Sequence, residues 1–341
     1  MKLQFLQLSV LCGFQLLSPA LSHPSKGPSK LPLPSKLVHQ FPLPTWIENV
    51  SPRSNGNLLL TILSTPDLYT INPLSSSPTP KLLHTFPGIT GLLGIAEVFP
   101  DVFVLVGGNF SLTTTTATPS TYSAWTVDFT KYPSPKISKI VDLKEAYFLN
   151  GLTLLPSLPG NVLIADSTLG LVWRLNVSTK KYERIISNIP EMAPVGSPSL
   201  GINGLRVYKG YLYWTNTNKA SLYRARITSS GKLVPNTPVE LLAVDAIAMD
   251  DFSIDEKTGI AYVCSNFENT VLAVKDGKVK TVLGSLGELT VAGDTASAFG
   301  RAKKDKDVLY VVTGGALGSP VNGTITEGGK IVAVDTKGFR F

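Results

Sequence analysis

The feature that most constrains this chain is a recurrence of short strand-like runs. Leu58-Leu59-Leu60-Thr61, Val102-Phe103-Val104-Leu105, Val162-Leu163-Ile164-Ala165, Tyr211-Leu212-Tyr213-Trp214, Ile260-Ala261-Tyr262-Val263 and Val308-Leu309-Tyr310-Val311 are apolar segments; the last four are each preceded by a turn rich in Gly, Asp or Lys. Measured between first residues, the last four lie 49, 49 and 48 apart, and the earlier steps are 44 and 60. A polar turn and a second strand-like run follow each of the later segments, at 171–175, 221–225, 270–274 and 330–334. A period of roughly 40–50 residues with several short strands in each is the mark of propeller blades. One four-stranded sheet cannot bury both faces alone, whereas a ring of sheets buries each face against a neighbour. Six runs therefore predict an all-β, six-bladed β-propeller. The early run 37–41 is expected to pair with 330–334, closing the ring and hiding two strand edges.

Composition agrees and removes several classes of chemistry. Apolar residues are 43% of the 341 and charged residues 16%, the balance of a chain that folds; 29 Gly and 25 Pro supply turns. The net charge of +7 is spread without an arginine stripe or basic helix, which argues against nucleic acid as a partner. The basic cluster Arg301, Lys303, Lys304 and Lys306 reads as a solvated loop. Of three histidines, His23 and His39 lie in the N-terminal arm, so a histidine zinc site or a Ser-His-Asp triad would rest on His84 alone. Two cysteines, Cys12 and Cys264, make no disulfide scaffold.

The N-terminus has the pattern of a secretory signal. Lys2 precedes a mostly apolar run over 3–17, and the residues Ala20-Leu21-Ser22 fit cleavage near Ser22. No later stretch reaches the ~18 apolar residues of a helical membrane span. The expected organisation is a signal peptide over 1–22, a proline-rich lead-in and closing strand over 23–45, and the propeller over 46–341. The mature chain is expected to be secreted, as a monomer or simple homo-oligomer. Its one remaining thiol, Cys264, sits in a strand-like run as a buried, inert side chain. Asn49, Asn109, Asn176 and Asn322 begin Asn-x-Ser/Thr tripeptides and are candidate glycosylation sites. The wide second step holds the polar tract 111–121, read either as a solvated loop or as an insertion overhanging the shaft.

Some repeats also share polar openings. Asn150-Gly151-Leu152, Asn203-Gly204-Leu205 and Asp251-Phe252-Ser253 fall about one period apart, and Glu48 lies near the start of the first blade. Equivalent positions in successive blades point at one axis, so these oxygens are expected to converge at the shaft. Asn and Asp also cap tight turns through side-chain hydrogen bonds, and the same reading applies to Asn216, Asn266 and Asp166 after their strands. The aromatic candidates for a shaft mouth are Trp46, Trp214, Phe252 and Phe267, each equally able to pack between blades.

These openings resemble the gluconolactonase-like (senescence-marker-protein) six-bladed propellers. That resemblance implies a divalent cation, Ca²⁺, Mg²⁺ or Mn²⁺, held by Glu48, Asn203 and Asp251 with Asn150 beside it, a donor set of hard oxygens. A narrower resemblance rests on Trp46-Ile47-Glu48-Asn49 followed by Arg53-Ser54-Asn55-Gly56, on Ala296-Ser297-Ala298-Phe299-Gly300-Arg301, and on Thr313-Gly314-Gly315. These motifs look like the fungal secreted branch of that superfamily. The branch includes hetero-Diels–Alderases that join a tropolone quinone methide to a humulene-type sesquiterpene.

The implied function is a pericyclase of secondary metabolism acting on small molecules, with no cofactor required. Asn150, Asn203 and Asp251 would be its catalytic residues, and Trp46, Trp214, Asn216, Phe252 and Asn266 its substrate contacts. Two other classes stay open. One is a metal-dependent lactonase, in which the cation polarises an ester carbonyl. The other is a non-catalytic binding propeller, because a fold does not settle a function.

Overall fold

The computed structural model describes residues 29–131, 134–245 and 247–341. The expected signal peptide, Cys12 and His23 lie outside the described residues. Among the described residues are six four-stranded antiparallel sheets and one two-stranded hairpin. The sheets are blades, and their innermost strands neighbour one another in sequence order. The ring closes where Asp294–Phe299 of blade six meets Ile47–Pro52 of blade one. The six apolar runs of the sequence form the second strand of each blade. Several of these, such as Leu58–Ile62, Asn161–Asp166 and Ala261–Ser265, are buried along their whole length because blades cover both faces.

Ring closure comes from the N-terminal arm. Ser35–Gln40 forms the outer strand of blade six, pairing antiparallel with Lys330–Asp335 from Ser35 opposite Val334 to Gln40 opposite Lys330. Ahead of it, the Leu33 N–H donates to the Val282 carbonyl at 2.8 Å, and the Leu33 side chain is buried beside Ile260, Tyr262 and Val334. The last blade is thus held by hydrogen bonds to the start of the chain. Cys264 is buried in blade five, and burial pushes its thiol well above the ordinary range.

Pairing with the second strands fixes the register of the inner ones. Val50, Ile95, Leu152, Leu205, Phe252 and Ala296 pair with Leu60, Leu105, Ile164, Trp214, Val263 and Val312. Two residues before these apolar positions stand Glu48, Leu93, Asn150, Asn203, Asp250 and Asp294, equivalent positions that make one layer of the six blades, and in blades one to four and six the pairing register shifts there. The next residue in each strand must be small where blades crowd together. A Cβ on Gly94, Gly151 or Gly204 would lie 2.3–2.4 Å from an atom of the following blade: the Asn150 carbonyl, the Asn203 carbonyl and Asp251 Oδ1 respectively. That crowding explains the Asn-Gly-Leu motif.

Candidate functional site

The upper end of the shaft opens into a cavity of about 240 Å³. Glu48, Asn150, Asn203 and Asp250 supply its polar floor, with Asn266 beside Asp250. Trp46, Phe148 and Phe267 form walls, together with Leu63, Pro198 and Leu200. Trp46 and Phe148 each stand two residues before a floor residue. Both lie just ahead of the strands Ile47–Pro52 and Leu149–Leu154, so wall and floor come from neighbouring residues of the same chain segments. Trp46 is fixed by its own hydrogen bond, Nε1–H donating to Glu48 Oε2 at 2.7 Å, and by glycines. A Cβ on Gly314 or Gly318 would come within 2.8–2.9 Å of the indole.

The hairpin Phe110–Ser111 and Thr116–Ala117 extends from blade two over this mouth, placing Phe110 and Thr115 in the lining. The polar tract is therefore a rim insertion over the shaft, and its length accounts for the wide second step.

The floor leaves hydrogen-bonding capacity unspent. Asn266 Nδ2 donates to Asp250 Oδ2 at 3.0 Å. Asn203 Nδ2 donates to Thr217 Oγ1 at 2.9 Å, while Asn203 Oδ1 is buried without a partner. Burial pushes the Glu48 carboxyl up to about 7, against the opposing indole hydrogen bond. Burial also raises Asp250 well above the carboxylate range, helped by the nearby charges of Glu48, Asp251 and Asp294. Asp294, in the same layer, is raised by burial too. Burial thus favours the protonated Asp250 carboxyl, and a protonated carboxyl can donate a hydrogen bond.

Several candidates from the sequence stand elsewhere. Asp251, expected as a metal ligand and catalytic group, points below the floor. Its Oδ1 accepts from the Phe252 N–H at 2.7 Å and from Arg206 at 3.0 Å; its Oδ2 accepts from Asn49 Nδ2 at 2.9 Å and Arg206 at 3.2 Å. The carboxylate at the mouth is instead Asp250. Spacing alone aligned Asn203 with Asp251, but in the segment leading into the strand Phe252–Ile254 Asp250 borders the cavity while its neighbour Asp251 turns to Asn49 and Arg206. The signal that finds Asp250 is the apolar residue two places on, in Asp250-Asp251-Phe252 as in Asn203-Gly204-Leu205.

Trp214 and Phe252 are fully buried between blades, Trp214 stacked on Tyr223 at 5.7 Å, and neither lines the cavity. Asn216 serves as a cap, with Nδ2 donating to the Glu191 and Ala193 carbonyls. Asp166 is a cap as well, accepting from the Tyr147, Phe148 and Leu169 N–H groups. Asn49 is buried with its amide on Asp251, so a glycan on it has no room in the folded blade. Asn109 and Asn176 are half-buried, and Asn322 is exposed on a turn. Sequence reasoning missed Asp250, Phe148 and Phe110. The first two stand two residues before positions the sequence already singles out, Phe252 and Asn150, and the third depends on how the insertion folds back.

The cation implied by the family likeness can be tested on these atoms. Glu48, Asn203 and Asp250 border a common cavity with Asn150 beside them, and Asn203 Oδ1 is buried there without a partner, a hard-oxygen set that suits a hard cation. Among the described residues no three His, Cys, Asp or Glu side chains gather as a metal site, so amide oxygens would have to complete the shell. A cation there would polarise a bound carbonyl.

No protein-family model matches the chain. A protein of Phoma sp., provisionally named a hetero-Diels–Alderase, is 32% identical over 329 residues, covering 88% of this chain and 92% of that one. A second, of Sarocladium schorii, provisionally named hetero-Diels–Alderase asR5, is 32% identical over 345 residues, covering 91% and 85%. The chain belongs to the hetero-Diels–Alderase family. A hetero-Diels–Alderase is an enzyme of the pericyclase type, acting on small molecules. A solved structure provisionally assigned as a gluconolactonase superposes with a TM-score of 0.58 at 14% identity, over 89% of this chain and 92% of that one. At that identity the match speaks for the fold alone.

Proposed function

We propose that the upper mouth aligns a tropolone quinone methide, as the oxygen-bearing diene, with an alkene of a humulene-type sesquiterpene. The observation that carries this reading is an aromatic-walled cavity whose floor keeps hydrogen-bonding groups unspent on the protein. In the addition, three electron pairs shift around a six-membered ring. One C–C and one C–O bond form, and no atom leaves. Such a step needs no nucleophile and no redox partner. Its barrier is largely the entropy of alignment, of which well-oriented holding supplies up to roughly 7–11 kcal/mol.

The residues divide that work. Trp46, Phe148 and Phe267 give flat apolar faces against which a tropolone ring stacks and from which water is excluded. Asp250, whose carboxyl burial raises toward its protonated form, donates to the diene's carbonyl oxygen, where negative charge builds as the bonds form. Asn266 orients Asp250 through its amide hydrogen bond. Asn150 and Asn203 complete the polar contacts, and Glu48 fixes the Trp46 indole.

The test is incubation of the purified protein with a quinone-methide precursor and humulene, followed by chiral chromatography. One stereoisomer formed above the background rate is expected; a racemic adduct at the background rate overturns the reading. A lactonase is the second reading, supported by the oxygen set Glu48, Asn203 and Asp250, and chelator-sensitive opening of a simple lactone would favour it. We further read the leader as directing secretion in a secondary-metabolite pathway, with exposed Asn322 the best-placed glycan acceptor. N-terminal sequencing and endoglycosidase treatment of the native protein check both points.

A further inference from the structure

We infer that Phe110, carried by the rim hairpin and stacked on Phe148, is the residue that chooses which face of the diene is presented to the alkene. The inference deepens the cycloaddition reading and rests on it. The two rings lie 5.3 Å apart with 15° between their planes, the parallel arrangement, and both border the cavity. Phe148 belongs to the blade and is 6% exposed, with Tyr122 behind it at 6.2 Å. Phe110 belongs to the insertion and is only half-buried, so part of its ring faces the cavity.

Its backbone is pinned. The Phe110 N–H donates to Thr90 Oγ1 at 2.8 Å, and that hydroxyl donates to the Phe110 carbonyl at 3.0 Å. The Thr118 N–H closes the base of the hairpin on the Asn109 carbonyl at 2.8 Å. A residue held at both backbone polar groups while its ring stays half-open is built to present that ring.

Chemistry says what the ring does. The hydrogen-bonding floor fixes the oxygen end of a flat diene, but one anchored edge leaves two faces open to attack. A wall parallel to the diene covers one of them. Phe110 and Phe148 form such a wall on the blade-two and blade-three side, and the opposite side is left to the alkene. Removing Phe110 opens that wall while the floor stays in place.

The experiment compares wild type with Phe110→Ala and Phe110→Tyr in the full chain, using two readouts. Binding of tropolone itself is followed by quenching of Trp46 fluorescence, with Trp46→Phe as the signal control; stereochemistry is read from the adduct. Phe110→Ala is expected to keep the thermal midpoint, to weaken tropolone binding several-fold and to erode stereoselectivity more than rate. Phe110→Tyr is expected to restore both. Unchanged tropolone affinity and adduct ratio in Phe110→Ala overturn the inference. If wild type makes no adduct yet Phe110→Ala still loses tropolone affinity, the cycloaddition reading fails and the aromatic wall stands.

Discussion

Two polar layers lie one residue apart in the shaft, and they differ in what remains unspent. In the lower layer both Asp251 oxygens and both Asn49 amide atoms are engaged, with Arg206 closing the set. In the upper layer Asn203 Oδ1 has no partner, and burial, with nearby carboxylates adding to it, raises Glu48 and Asp250. A satisfied buried network holds a structure together, because every group has replaced its water. A partly satisfied one costs stability, and its persistence at a cavity marks a place where a ligand completes it. The acidic and amide residues of the two layers are alike in type and burial, so hydrogen-bond accounting is what separates scaffold from site.

The comparison breaks most easily at Arg206. Replacing it by Ala leaves the Asp251 charge buried without its cation, and a loss of about 3–5 kcal/mol is expected, seen as a lowered thermal midpoint. A small change would place Asp251 among groups free to act. Asp250→Ala is the counterpart above. It should lower single-turnover cycloaddition about 10²–10³-fold with little shift in midpoint, since its hydrogen bonds are fewer. A stability loss without a rate loss would reverse the two assignments.

Titration sharpens the contrast. Glu48 has a folded value of about 7 against an ordinary 4.5. The folded state therefore holds this proton more tightly than the unfolded one. The stability it contributes is full below about 4.5 and is lost as pH rises through about 7, up to about 3 kcal/mol. Denaturation at pH 5 and pH 8 should show that fall, and Glu48→Gln should flatten it. Gly151→Ala probes the seam between the layers, where a Cβ meets the Asn203 carbonyl at 2.4 Å; a loss of about 1–3 kcal/mol is expected in the denaturation midpoint. The smallest effect is expected from chelation, after which the cycloaddition rate should stay within about twofold. A collapse restored by Ca²⁺ would move the upper layer to the metal-dependent reading.

Much of this was legible beforehand. The apolar runs mark the second strands because those strands are covered on both faces and must be apolar throughout. The closing strand was legible because an early strand and a late one each needed a partner. Less legible was the site, for a reason visible at Asp250 and Asp251. Both are acidic, adjacent and close to one period from Asn203, and a spacing count cannot separate them. The aromatic candidates divided similarly. Trp46 and Phe267 reached the mouth, whereas Trp214 and Phe252 filled the seams.

The sequence by itself determined the blades, their number and the oxygen-rich character of the shaft, because periodicity and residue type are local properties that survive without coordinates. Tertiary structure alone decided which oxygens face the cavity and that the rim hairpin carries Phe110 over it. In a strand, one residue of register carries a side chain to the other side, and the register is set by pairing with a neighbour rather than by the strand's own residues.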